Sequence, residues 1–181
     1  MTGSPALPLD EEHLGLSRYR AGDLAGAIRH FTQARIAYES AGDERKSCEV
    51  CNSLSVALVQ AGRPAEALAA VDGTPQRFDE LGDPSSAAKA YGNLASAQEA
   101  CGDLAAAEAS FRLAADKFAE LEDRQNHNFT MKALSQLQLR RGQPLQAALS
   151  LQAALEDQPD LGLRDRWLLR LLKVPFRFLR G

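Results

Sequence analysis

The stretch Ala21-Gly22-Asp23-Leu24 decides the fold, because related four-residue stretches recur every 40 residues along the chain. Glycine ends a helix at low cost because it tolerates a positive φ. An aspartate or proline directly after it begins the next helix, as the N-cap or as the first helical residue. Each copy therefore predicts a tight turn between two helices. The other copies are Ala61-Gly62-Arg63-Pro64, Cys101-Gly102-Asp103-Leu104 and Arg141-Gly142-Gln143-Pro144.

Apolar residues repeat in phase with these four glycines. An alanine follows each glycine by five residues, a large apolar residue comes four positions later, and a leucine precedes each glycine by eight. A second turn is predicted at Gly42, Gly82 and, with the glycine replaced, Glu122-Asp123. One helix pair cannot bury both of its faces, so the pairs must stack. The in-phase residues are Ala27, Ala67, Ala107, Ala147, Phe31, Val71, Phe111, Leu151, Leu14, Leu54, Leu94 and Leu134.

The turns predict an all-α solenoid of four helix pairs followed by a C-terminal amphipathic helix. The first helices are expected near 8–21, 44–60, 84–100 and 124–140, and the second helices near 24–39, 64–72, 104–120 and 144–156. The predicted organisation is a segment 1–7, four units at about 8–42, 43–82, 83–122 and 123–160, and a tail 161–181. Because Pro75 cannot lie inside a helix, the second helix of unit two should stop near Asp72 and restart near Pro75. That break is either a simple turn or a hinge.

Composition narrows the class of protein. The chain has 181 residues, of which 45% are hydrophobic and only 6% aromatic, and its net charge is −3. This composition is typical of a folded helical chain and disfavours a general nucleic-acid binder. No run of 18 apolar residues and no secretory signal is visible, and three cysteines cannot build a disulfide framework. We therefore expect a cytoplasmic protein.

The repeated residues resemble the tetratricopeptide repeat, whose pattern is W-x2-L-G-x2-Y, then A-x3-F, then P. The spacing of 40 residues is similar to the longer-helix variety of that family, and the resemblance covers about residues 6–160. It implies a right-handed solenoid that binds protein partners. The chain departs from the pattern at the first-helix aromatic positions, where only Tyr91 is aromatic and the others are Glu11, Cys51 and Met131. The matching residues are Leu14-Gly15, Ala27, Phe31 and Ala34, then Tyr91, Leu94, Ala107, Phe111 and Ala114, then Leu134, Ala147, Leu151, Ala154 and Pro159.

The resemblance also implies a binding groove along the first helices. Asn93 matches an asparagine that in peptide-binding relatives hydrogen-bonds the ligand backbone. Only Lys89 and Asn93 fit the family's clamp for a terminal carboxylate, so that clamp is not predicted. In units one and two, Leu16, Tyr19, Val56 and Val59 either form an apolar groove or pack between units. The predicted groove residues are Glu12, Leu16, Tyr19, Asn52, Val56, Val59, Lys89, Asn93, Ser96, Lys132 and Gln136, with Leu9, Glu49, Gly92, Glu99, Phe129 and Leu139 on the same face.

No pattern of catalytic residues stands out. Cys48 and Cys51 share one helical face, but a zinc site needs about four ligands and the three histidines lie in three different units. No phosphate-binding glycine loop and no nucleophile elbow is present. We therefore expect packed, inert cysteines, no bound metal, no cofactor and no enzymatic activity.

The tail carries an opposite charge to the rest of the chain. Residues 161–181 hold six cations and one acid, a net charge of +5, whereas the other residues sum to −8. On a helix five of the six cations would form a stripe about 80° wide beside a broad apolar arc, and Pro175 should kink or end the helix. These five are Arg166, Arg170, Lys173, Arg177 and Arg180. The tail has three possible roles. It could cap the array, with its own last residues covering its outer apolar side chains. It could instead lie on an anionic membrane, or dock on a partner or on a second copy as a homodimer. The predicted interaction residues are Arg166, Trp167, Arg170, Lys173, Phe176 and Arg177.

The sequence thus predicts a scaffold or adaptor that binds a partner peptide or helix in its groove. Two alternatives remain open at this point. One is an assembly factor recruited through the basic tail to the inner face of a membrane, and the other is a peptide-sensing regulatory module.

Overall fold

The chain forms an all-α solenoid in which consecutive helices pack against each other. The structure is a computed structural model, and it describes residues 7–156 together with 162, 163, 166, 167 and 170. Residues 7–156 form nine helices and no strand. Their bounds are α1 Pro8–Arg20, α2 Leu24–Ala41, α3 Glu44–Gln60, α4 Pro64–Val71, α5 Thr74–Glu80, α6 Pro84–Ala100, α7 Leu104–Glu120, α8 Arg124–Arg140 and α9 Pro144–Glu156.

The turns have the predicted chemistry. The four glycines spaced by 40 residues all have a positive φ, between 71° and 87°. At the start of α7 the Asp103 carboxylate accepts a hydrogen bond of 3.0 Å from the backbone N–H of Ala106. Asp23, Asp43, Asp83 and Asp123 cap α2, α3, α6 and α8 in the same way. Each cap satisfies one of the donors that a helix N-terminus leaves unpaired, so the helix bounds follow from local residues.

The repeated alanines lie where paired helices approach closely. Ala27, Ala67, Ala107 and Ala147 are all buried, so each leaves room for the neighbouring backbone. Phe31, Val71 and Phe111 are buried four positions later, while Leu151 in α9 is half-buried. The main core runs from α2 to α7, and a second cluster joins α6, α7 and α8.

The second helix of unit two is interrupted, as predicted. Helix α4 ends at Val71, Gly73 has a φ of 75°, and α5 begins at Thr74. The Thr74 hydroxyl donates a hydrogen bond of 2.8 Å to the Val71 carbonyl, and Pro75 and Phe78 are buried. Helix α5 packs on α6. The interpretation of this break as a hinge remains a prediction.

Helix α1 differs from the other first helices on one face. Leu14 is 43% exposed, whereas its counterparts Leu54, Leu94 and Leu134 are all buried. The inner first helices pack against the second helix of the preceding unit, and the described residues place no helix before α1. The same face of α1 carries exposed Asp10, Ser17 and Arg18. A polar outer face is what the terminal unit of a stacked array requires.

The C-terminal region is described in part. Leu163, Arg166, Trp167 and Arg170 have helical conformation, and the Arg166 amide donates a hydrogen bond of 3.0 Å to the Gly162 carbonyl. The predicted interaction residues Lys173, Phe176 and Arg177 lie outside the described residues, as does the predicted helix end at Pro175. Among the helices that the structure describes, none combines the length and the apolar character needed to cross a bilayer.

Candidate functional site

The predicted groove residues of units one and two are largely engaged within the protein. Leu16 and Tyr19 of α1 and Val59 of α3 pack against the main core. The Tyr19 hydroxyl also accepts a hydrogen bond of 2.5 Å from Gln60 Nε2. The structure therefore favours packing between units over an open apolar groove at this end, and Val56 beside them is half-buried.

Glu12 belongs to an internal polar network. Its Oε2 accepts a hydrogen bond of 2.8 Å from the Tyr38 hydroxyl, and its Oε1 lies 3.8 Å from Lys46 Nζ. Burial, followed by the hydrogen bond to Glu12, raises the pKa of Tyr38 to about 12. Asn52, one repeat later, is half-buried, and its Oδ1 is buried without a hydrogen-bond partner. These contacts hold α1 and α3 in place and leave the Glu12 carboxylate less free for a ligand.

Units three and four bring predicted groove residues together around an open cavity. This α6–α8 cavity has a volume of about 260 Å³. Its aromatic residues come from α7 and α8, whereas the predicted groove residues Lys132 and Gln136 of α8 are not among those that line it. The resemblance to the tetratricopeptide repeat implied Lys89, Gly92, Asn93, Ser96, Glu99 and Phe129, whereas Phe111 was assigned to packing, and Phe118, Asn126, Thr130 and Ala133 were not predicted. The lining residues are Lys89, Gly92, Asn93, Ser96 and Glu99 of α6, Phe111 and Phe118 of α7, and Asn126, Phe129, Thr130 and Ala133 of α8.

The cavity presents groups that the protein itself does not use. Phe129 is 76% exposed. Lys89 is exposed and forms no ion pair with any described residue, and the Asn93 side chain forms no hydrogen bond with one. A Cβ added at Gly92 would meet open space, so the backbone of α6 is accessible there. An apolar anchor, a cation and an amide are therefore all available to a ligand.

Charged residues lie at both ends of the α6–α8 cavity. Glu99 of α6 forms an ion pair with Arg140 of α8, which ties the two first helices together at one end. At the other end, hydrogen bonds from Asn126 and, more weakly, the charge of Lys89 lower the pKa of Asp123. Asp123 is thus ionised at neutral pH, and its charge lies near Lys89. The α6–α8 cavity is a preformed space between two tied helices.

A larger cleft lies on the side of the second helices, and sequence analysis did not predict it. Its volume is about 800 Å³, and it lies between α2 and the α4–α5 break over the floor formed by α3. The break at Asp72-Gly73 and the small residues Ala69 and Ala70 were the signals that could have indicated it. Their small side chains leave the space between α2 and α4 unfilled.

Cys48 and Cys51 line that cleft, with Cys51 buried and Cys48 half-buried. Burial raises the pKa of both thiols, that of Cys51 to about 11, so the nucleophilic and metal-binding thiolate is disfavoured. The part of the chain that the structure describes holds no group of three or more His, Cys, Asp or Glu placed to bind a metal ion.

Fold and site together define a helical-repeat protein with an open cavity between two of its first helices. The chain matches no protein-family model, and no curated protein matches it either. It is similar to a solved structure titled "Crystal structure of MamA protein", with 14% identity over 86% of this chain and 97% of that chain. The TM-score is 0.35. At this level the similarity adds nothing to the fold described above and says nothing about function.

Proposed function

We propose that this protein is a tetratricopeptide-type interaction scaffold whose first helices bind an extended peptide, with the α6–α8 cavity as the main contact. The observation that carries the proposal is the α6–α8 cavity itself, which Lys89, Asn93 and Phe129 line. Phe129 is 76% exposed, and among the described residues Lys89 has no ion-pair partner and the Asn93 side chain no hydrogen-bond partner. Glycine, alanine and asparagine are common on helices that merely pack. Phe129 exposes most of its ring to water in the same cavity that Lys89 lines, and a partner that covered the ring would bury this apolar area.

The chemistry of the cavity indicates the kind of peptide. Phe129 and the two α7 phenylalanines suit one bulky apolar side chain, which would be the anchor. Lys89 and Lys132 favour an acidic residue close to that anchor, and neither lysine is ion-paired to a described residue. The amide of Asn93 can both donate to and accept from a peptide backbone. A short extended segment with an acidic and an apolar residue fits these groups best.

A library of short random peptides tests this function. Displayed peptides that bind the full chain are selected from it. Peptides that bind are then titrated by fluorescence anisotropy against groove variants of the full chain. We expect Gly92→Leu, which fills the cavity, to weaken binding by about tenfold or more. Lys89→Glu should weaken the binding of acidic peptides in particular, and Asn93→Ala should weaken all of them.

Matched substitutions outside the α6–α8 cavity control for surface changes. Ala109→Leu adds the same side chain on an exposed position of α7, and Arg29→Glu makes the same charge reversal on α2. These two variants should bind the selected peptides as the unaltered protein does. Peptides that bind all five variants equally would contradict the proposal and would locate binding elsewhere on the chain.

A further inference from the structure

The C-terminal region exposes a second surface that the groove does not involve. Leu163 is 86% exposed and Trp167 is 64% exposed. Arg166 and Arg170 are exposed as well. With helical backbone at all four residues, these side chains lie within an arc of about 100° on one face. We call this set the Trp167 face.

The chemistry of the Trp167 face matches the boundary of a bilayer. Tryptophan prefers the interface between headgroups and acyl chains, because its ring is apolar and its N–H is polar. Leucine one turn away adds apolar area, and arginine extends from such a position to the headgroup phosphates. An exposed Leu–Trp pair leaves apolar area in contact with water, so burying it in the interface of a bilayer is favourable.

Charge decides which surface fits. Residues 161–181 carry six cations and one acid. The rest of the chain sums to −8, so the charged groups of the tail are attracted to an anionic surface while the body is repelled by it. That arrangement places the tail, and not the groove, against the lipid. A second copy of the chain offers a mixed surface, whereas anionic lipid offers an apolar layer under a uniform sheet of negative charge.

We propose that the Trp167 face binds the surface of a membrane that contains anionic lipids. Trp167 is the single tryptophan of the chain, so its fluorescence reports directly on this face. The proposal is independent of peptide binding by the α6–α8 cavity, because the two surfaces share no residue.

The experiment adds vesicles of phosphatidylcholine, with or without phosphatidylserine, to the full chain at low salt. We expect the Trp167 emission to shift to the blue, and brominated lipid to quench it, only with phosphatidylserine present. The protein should sediment with the same vesicles, and high salt should release it. Arg166→Gln combined with Arg170→Gln should lower the partition coefficient by roughly 30-fold, since each cation near an anionic leaflet contributes about fivefold.

Leu145→Ser combined with Leu149→Ser is the matched control. These two leucines are also exposed one turn apart, on α9, but belong to a different helix. The control variant should bind vesicles as the unaltered protein does, whereas Leu163→Ser combined with Trp167→Phe should lose binding while its circular-dichroism spectrum stays unchanged.

Three outcomes overturn the proposal. The first is an emission spectrum that anionic vesicles leave unchanged. The second is a blue shift that needs no lipid and disappears on dilution, which would assign the Trp167 face to a second copy. The third is an equal response to soluble polyglutamate, which would assign it to acidic protein segments.

Discussion

The ring of Phe31 in α2 packs against Gly15 of α1 and occupies the space that a side chain at Gly15 would need. A Cβ built on Gly15 would come within 2.6 Å of both Cδ1 and Cε1 of that ring. Phe31 is 1% exposed and belongs to the main core, so the ring has no empty space to move into. The position of α1 on the solenoid therefore depends on residue 15 being a glycine, which has no side chain.

Gly15→Ala should destabilise the protein for this reason. Alanine favours the helix, but the clash forces either the ring or α1 to shift. We expect a net loss of about 1 to 2 kcal/mol in the free energy of unfolding, measured by urea denaturation. The control is Gly92→Ala, the same change at a helical glycine with open space above it, which should raise the free energy of unfolding by about 1 kcal/mol. A gain of stability in both variants would contradict the clash and would show that the Phe31 ring moves aside.

Glu122→Gly should stabilise the turn between α7 and α8. Glu122 has a φ of 54° and is the single non-glycine residue with a positive φ among those that the structure describes. A side chain in the left-handed region costs about 1 kcal/mol or more, and glycine avoids most of that cost. Chemical denaturation should show a gain of about 1 kcal/mol. Gly82→Glu, at the equivalent turn before α6, should cause a comparable loss. Equal stability of Glu122→Gly and the unaltered protein would argue that side-chain contacts of Glu122 compensate for its backbone.

Glu108→Gln should weaken the junction of α7, α8 and α9. Glu108 is buried and accepts hydrogen bonds from Arg112 at 2.7 Å and Gln138 at 3.2 Å, and it forms an ion pair with Arg141. Ser150 of α9 donates to Gln138 and continues the network. Because the amide keeps the shape but leaves two arginines without a counter-charge, we expect a loss of about 2 kcal/mol in thermal or urea unfolding.

Glu39→Gln is the control for Glu108→Gln. It removes an exposed pair with Arg35 on α2, and such pairs contribute little. If Glu39→Gln destabilised the protein as much as Glu108→Gln, the loss would reflect total charge and not the buried network.

Tyr38 should make stability depend on alkaline pH. Its pKa is raised to about 12 in the folded protein, first by burial and then by the hydrogen bond to Glu12, against an ordinary value of 10. A raised pKa contributes stability fully below about pH 10, and that contribution is lost as the pH rises toward about 12. Absorbance titration should therefore show one tyrosine that ionises near pH 12 and is missing in Tyr38→Phe. The variant should also lose less stability over that range, and an unchanged titration curve would contradict this assignment.

Most helix bounds could be predicted from the sequence because their causes are local. The turn glycines and the capping aspartates act on backbone within four residues, so the predicted helices agree with α1–α9 within about two residues. The break before α5 was predicted for the same reason, since Pro75 excludes a continuous helix whatever surrounds it.

The candidate site could be predicted only in part. The repeat spacing placed Leu16, Tyr19 and Val59 on the same face as Lys89 and Asn93, yet the first three pack on the core. Periodicity identifies a face of a helix, but the neighbouring side chains decide whether that face is covered. The cleft over Cys48 and Cys51 was missed because it results from the distance between α2 and α4, which no residue of either helix encodes alone.

Phe31 and Leu14 show most clearly which properties follow from the sequence and which follow from the tertiary structure. The sequence by itself determined that both belong to a helix pair closed by Gly22, since glycine, alanine and leucine spacing is a property of one chain segment. Only the tertiary structure decided that Phe31 is buried against Gly15 while Leu14 is exposed and its three counterparts are not. The physical reason is that burial depends on which helix stacks against a face, and the described residues place before α1 no helix like those that cover the inner units.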